Sequence, residues 1–436
     1  RGLNDGLGRG LNGGRYGGFD GWLGGHRLEI VSRPWHPVRV PRFEPFAAIR
    51  YDVAGTPLAD VIAPPYDVLS DRDRAELAGR HPRNIVHLDL PIAADGVDRY
   101  ETAARLLESW LAEGTLVVDD VPTFTLYRME FVDESGRPRS TVGVLGALEV
   151  VDEGAGGVLP HERTTPKAKT DRLDLTRATR TNLSPVWGLS LTEGLSALLR
   201  NRGEPMGAVT VDAVTHSVER VTDADRIAAI SAAVGSHPVL IADGHHRYAV
   251  ARTYRDEIRA ATGRTDTAAE LTLAFVGELV EDQLSIQAIH RLIDGITAVD
   301  LAAALVPFFD QAPAGELAPL VLAQMAAQGT LCLVHPDGSG TFLRPKDDAF
   351  GDVRDLDSAR LERALAGVDH EVRYQHGVAN VLEAVRSGAA STAVLIRPVG
   401  IAEIRRTADE GLLMPPKSTF FTPKLRTGLV VRPLGD

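Results

Sequence analysis

Cysteine is almost missing from this chain: Cys332 is the only one in 436 residues. That excludes an intramolecular disulfide and any multi-cysteine zinc site, and it fits a reducing compartment. No apolar run approaches the roughly 20 residues of a membrane span, so no membrane association is expected. The first residues lack the charged-then-apolar layout of a secretory signal, and the expected location is the cytoplasm. Positive charge is also short. Lys and Arg number 47 against 59 Asp and Glu, for a net charge of −12 and a pI near 5.6. Broad nucleic-acid binding needs a strongly basic surface, so nucleic acid is not an expected partner. A local basic pocket stays open, and nothing in the sequence sets the oligomeric state.

What remains is an ordinary globular balance, 44% hydrophobic and 24% charged, on a length that suggests roughly two to three domains of about 150 residues. Residues 1–40 read as a flexible tail. Their first 33 positions are glycine-rich and do not begin with Met, as in translated sequence upstream of a start. Residues 41–296 are expected to form the main α+β domain, and 297–436 a smaller α/β lobe whose last segment, 411–434, returns to the site. The fold class expected is α+β, with mixed sheets and packed helices.

Apolar runs predict strands over 84–90, 186–191, 239–241, 271–279, 329–335, 392–397 and 428–432, a strand-like start over 60–63, and a strand pair over 208–221. A hairpin of 122–132 and 139–151 turns at Asp133–Gly136. Helical spacing predicts helices over 71–79, capped by Ser70, and over 98–114, 171–180, 223–234, 301–309, 317–328 and 401–410, with 358–387 mainly helical.

The most informative stretch is Val239–Ala251, VLIADGHHRYAVA. A short buried strand breaks at Gly244 and restarts as a helix, aiming the first free N–H groups at whatever lies above the turn. With the helix dipole behind them, those donors suit phosphate or carboxylate. Asp243, His245, His246 and Arg247 add acid, base and fixed positive charge at the same place.

Three other stretches carry polar clusters. Between Pro160 and Arg172 lie His161, Glu162, Arg163, Lys167, Lys169 and Asp171. Four cations around a His-Glu pair suit an anionic ligand, and a solvated charged loop is the plainer alternative. Pro64-Pro65 stiffen a turn that puts Tyr66 and Asp67 in a pocket wall or merely in a rigid connection. Asn182 and Ser184 are ligand contacts or ordinary turn chemistry. In the tail, Lys417, Ser418, Thr419 and Lys424 hang on a proline-stiffened loop backed by Phe420 and Phe421, suited to anion capture or equally to a crossing strand.

Taken together, IAPPYDVLS, NIVHLDL, LPHERT with KTDR, NLSPVWGL, IADGHHRYAVA and MPPKSTFFTPK resemble a prokaryotic family, the domain of unknown function family 1015, over about residues 43–434. One departure is visible: where that family tends to show Pro-Thr-His-Arg, this chain has Gln287-Ala-Ile-His290-Arg291. Separately, Asp243–Arg247 is similar to the second box of the ParB/sulfiredoxin-like superfamily, in which a Gly-x-x-Arg turn at a helix start cradles nucleotide phosphates. Its members include CTP-binding partition proteins, ATP-using sulfiredoxins and free-serine kinases. This likeness implies a ParB/sulfiredoxin-like core.

Three functions follow as expectations. The first is a nucleotide-dependent phosphotransferase on a small molecule, in the style of the free-serine kinases, with Mg²⁺ and ATP or ADP as cofactors. Such chemistry relies on positioning and charge neutralisation. Gly244, His246 and Arg247 would hold phosphate, and Lys169, Arg172, Lys417 and Lys424 would neutralise charge. Glu162 or Asp243 would act as base or Mg²⁺ ligand, and His245 or His161 as proton carrier. The second is a nucleotide-responsive ParB-like regulator, against which the Ala-rich, acidic stretch after 297 shows no second basic DNA-binding module. The third is a metal-dependent hydrolase using His161, Asp243, His245 and His246, although no His-Glu-x-x-His spacing supports it.

Overall fold

The computed structural model describes residues 39–133, 136–160, 169–351, 353–415 and 417–435. Two large sheets organise them. The first has nine strands and is mixed. Val239–Asp243 lies near one edge, parallel to Val158–Pro160 and antiparallel to Val186–Ser190. Val186–Ser190 runs parallel to Leu271–Glu278, and the sheet continues antiparallel through Pro138–Glu149, Phe124–Val132, Val214–Val221 and Glu204–Val211. The second sheet has six strands, all antiparallel, in the order Phe309–Glu316, Ser339–Pro345, Leu331–Val334, Thr392–Leu395, Ile289–Asp294, Glu371–His376. The class is α+β.

The strand leading to the candidate turn is apolar throughout because both of its faces are covered. Leu240 and Ala242 pack into one core with Tyr127, Trp187 and Phe275, while Val239 and Ile241 pack into another with Phe124, Val144 and Val276. Helix starts follow the expected chemistry. Ser70 and Asp73 form a reciprocal capping box, and Asp98 and Asp223 cap the helices Arg99–Ala112 and Ala224–Val234. Among the described residues no helix is long and apolar enough to cross a membrane.

Several expectations are corrected. Residues 84–90 are not a strand but contain one helical turn, Val86–Asp89. Ile85, Val86 and Leu88 are fully buried, so the apolar pattern reflects burial on all sides, and Asn84 accepts the Val86 N–H to start the turn. The strand-like start at 60–63 is likewise the end of a helical turn, Leu58–Val61. The helix expected to reach Phe309 stops at Leu305, and Phe309 opens a strand. Within 358–387 the helices Asp357–Leu365 and Val378–Arg386 flank an edge strand, Glu371–His376, whose side chains are mostly exposed and so carry little apolar signal. The strand Ser339–Pro345 is additional.

The C-terminal segment is stitched to the first sheet's neighbourhood by short pairings. Phe420–Thr422 pairs with Ser285–Gln287, Thr427 with Ala63, Val431 with Ile49, and Arg432–Pro433 with Thr181–Asn182. Only Arg432–Pro433 of the strand expected near 428–432 forms a ladder.

Candidate functional site

A register shift between Ile241 and Asp243 re-aims the end of the strand. Gly244 follows with φ 88° and ψ 27°, and the 18-residue helix His245–Thr262 begins at the next residue. Glycine is needed here twice over. The left-handed conformation disfavours a side chain, and a Cβ would stand 3.1 Å from the Arg247 guanidinium carbon and 3.3 Å from the Val186 Cα. The crowding lets Arg247 fold back beside its own turn.

Asp243 is held between two cations from distant parts of the chain. Arg247 Nη2 donates to its Oδ2 at 2.9 Å, and Lys424 Nζ lies 3.4 Å from its Oδ1. Burial alone would raise the Asp243 pKa, but Lys424, Arg247 and His245 outweigh it and hold the carboxyl far below the usual range. Arg247 also faces Asp67 at 3.6 Å and donates to the Pro185 carbonyl. Its Nε is buried without a hydrogen-bond partner among the described residues. Lys424 rests over the Phe420 ring, 4.3 Å from its centroid, and the His376 ring lies 4.5 Å from Phe420 on centroids.

Behind Arg247 lies a second polar cluster around a cavity of about 50 Å³, lined by Tyr66, Asp89, Arg172, Asn182, Ser184 and Arg247. Arg172 donates to the Asp89 carbonyl at 2.6 Å and to Asp89 Oδ1 at 3.1 Å, pairs with Asp171 at 2.6 Å, and lies 4.3 Å from the Tyr66 ring centroid. Ser184 Oγ reaches Asp89 at 3.4 Å and Thr427 Oγ1 at 3.0 Å. Burial raises the Asp89 pKa against the pull of Arg172 and Arg247, and pushes the Tyr66 phenol up to about 12.

The expected residues therefore divide. Asp243, Gly244, Arg247, Asp67 and Lys424 come together at one turn, with Tyr66, Arg172, Asn182 and Ser184 around the cavity behind it. Arg172 is not an open cation, since its guanidinium is spent on Asp89 and Asp171. Asn182 is also engaged, its Oδ1 accepting the Leu273 N–H at 3.0 Å. His246 sits in the first turn of the helix. In the tail, Ser418 is buried and bonded to the Pro415 carbonyl at 2.7 Å and to Ser358 at 3.2 Å, tying its loop to the helix Asp357–Leu365. Thr419 is buried beside it, and Lys417 is exposed with φ 58°. His161 and Glu162 lie outside the described residues, as does the side chain of Lys169, the first residue of Lys169–Thr179.

Magnesium does not fit Asp243 in this arrangement, because each carboxylate oxygen already faces a cation. Among the described residues no group of three His, Cys, Asp or Glu could hold a metal ion. The buried Arg247 Nε, a donor without a hydrogen-bond partner among the described residues, suits an anion rather than a cation. Sequence reasoning missed Asp89, His376 and Thr427, and had Phe420 only as backing for the tail loop. For Asp89 the signal was present: a carboxylate between two leucines must find a buried partner.

Among solved structures, the chain is similar to a conserved hypothetical protein from Pyrococcus furiosus at 10% identity and TM-score 0.34, covering 62% of this chain and 92% of that one. A free serine kinase in complex with AMP is similar at 12% identity and TM-score 0.34, over 62% and 88% of the two chains. SbnI with a C-terminal truncation, from Staphylococcus aureus, is similar at 13% identity and TM-score 0.36, over 66% and 87%. No curated protein matches. A family model does match residues 43–359, and the chain belongs to that family, described as "Protein of unknown function (DUF1015)".

Proposed function

We propose that this protein binds a nucleotide or other phosphorylated ligand at the Asp243–Arg247 turn and transfers a phosphoryl group to a small molecule. One observation carries the reading: Arg247 and Lys424 converge on Asp243 where an 18-residue helix begins at a left-handed glycine. The first helical amides and the two cations supply what a phosphate needs. Asp243 keeps both cations in place until a ligand phosphate takes over one of them. In the transfer, a P–O bond forms to the acceptor oxygen, the bond to the leaving phosphate breaks, and the acceptor proton passes to a base.

Asp243 is too acidic for that base, since a general base works best with a pKa near the operating pH. The proton role falls instead to His161, Glu162 or His245. Nucleotide-borne Mg²⁺ would neutralise charge on the phosphates, with Glu162 the remaining candidate ligand from the sequence. The low Asp243 pKa also favours a second reading, a nucleotide-responsive binding protein without turnover.

The deciding experiment incubates the full chain with ATP or ADP, Mg²⁺ and a panel of amino acids and small alcohols, following products by phosphorus NMR and mass spectrometry. Phosphorylated product supports the transferase. Nucleotide binding without product selects the binding protein, and absence of both rejects the site.

A further inference from the structure

Beside Lys424 two rings meet that the phosphate reading does not use. Phe420 pairs with Gln287, and His376 pairs with Ile289, two residues further along the same stretch. That spacing brings a ring from the C-terminal segment against one from the edge strand of the six-stranded sheet, with centroids 4.5 Å apart and planes 49° apart. His376 is exposed, its ring set against Phe420 with Lys424 nearby. An exposed imidazole packed against an aromatic ring on one side offers its other face as a flat π surface.

Tyr374 lies two residues earlier on the same strand and therefore on the same face. It is 47% exposed, with the Arg291 guanidinium 4.8 Å from its ring centroid. The edge strand thus presents a short aromatic row. The row ends at Phe420, which carries Lys424 at 4.3 Å, and Lys424 ends at Asp243 at 3.4 Å. Three successive contacts, each under 5 Å, connect the row to the turn.

We propose that His376, backed by Phe420, is the platform on which the base of a bound nucleotide stacks while its phosphates lie at Lys424 and the Gly244 turn. This rests on the nucleotide reading above and adds the subsite that distinguishes a nucleotide from a bare phosphate. Partial burial of the ring and the neighbouring Lys424 lower the His376 pKa, which favours the uncharged imidazole at neutral pH.

The test is isothermal titration of the full chain with ADP and, separately, with inorganic pyrophosphate. The wild-type protein should bind ADP about tenfold or more tighter than pyrophosphate, the gain expected of one stacked base. H376A should lose that gain and bind pyrophosphate unchanged, and H376F should restore it. ADP binding no tighter than pyrophosphate, or an H376A variant that weakens both ligands alike or neither, overturns the platform and leaves the phosphate site standing. If the wild-type chain binds neither ligand, the nucleotide reading itself fails.

Discussion

Lys424 Nζ lies 3.4 Å from Asp243 Oδ1, although one residue closes a strand of the nine-stranded sheet and the other sits on a C-terminal loop. The Arg247 contact at 2.9 Å takes the other oxygen. Asp243 therefore competes with any incoming anion for both cations. D243N should bind pyrophosphate roughly tenfold more tightly than wild type, because the competitor is gone while the donors remain. K424M should bind it more weakly. Calorimetric titration of the three proteins gives the order, and a weaker D243N would mean that Asp243 itself contacts the ligand.

Gly244 is a test of crowding as well as of backbone conformation. G244A should cost about 2–3 kcal/mol, combining the left-handed penalty with the clash against Arg247 and Val186. Gly263, at the other end of the same helix, has φ 69° and open space around it. G263A should cost only about 1 kcal/mol. Urea denaturation of both variants checks the difference.

The buried pair Asp89–Arg172 should be unforgiving to single changes. D89A leaves a guanidinium whose side chain is 8% exposed with Asp171 as its remaining carboxylate, and should destabilise by about 3 kcal/mol. The double variant D89L/R172M removes both charges and should recover much of that loss. Equal destabilisation by the single and double changes would show that packing, not charge, governs this position.

Acid should weaken the fold through two buried histidines. His216 is hydrogen-bonded to Tyr127 at 2.7 Å and accepts from Arg426 Nε at 3.4 Å, and burial pushes its pKa down to about 4. His290 Nδ1 accepts the Ile396 N–H, and burial lowers it to about 4 as well. Below about pH 6.5 the unfolded chain takes up these protons before the folded chain does. Their contribution is therefore full above that pH, falls as the pH drops towards 4, and levels off below. H216Q should reduce the slope of stability against pH in this window by about 1.4 kcal/mol per pH unit, one proton's worth. An unchanged slope in urea titrations at several pH values would contradict this.

The turn was legible in the sequence because everything that makes it is local: an apolar strand, a glycine and a helix start within a dozen residues. The cap at Ser70 was legible for the same reason. Asp89 was legible only as a carboxylate between two leucines, because its one-turn helix is buried on all sides and has no amphipathic period to place it. Nor could the sequence choose between Lys417 and Lys424, seven residues apart on one loop. That choice is made by the pairing of Phe420–Thr422 with Ser285–Gln287 and by Ser418 bonding to Ser358, both long-range contacts. His376 escaped notice because an exposed edge strand has almost no hydrophobic signature.

The tail's stitching has a consequence for the order in which the protein matures. Every strand of both large sheets is synthesised before Lys424 reaches the folding chain. Until then Asp243 has Arg247 alone, and the seams at Ala63, Ile49 and Asn182 stand open. The turn thus acquires its second cation only after every strand of both large sheets has left the ribosome, so the ion cluster at Asp243 is completed last.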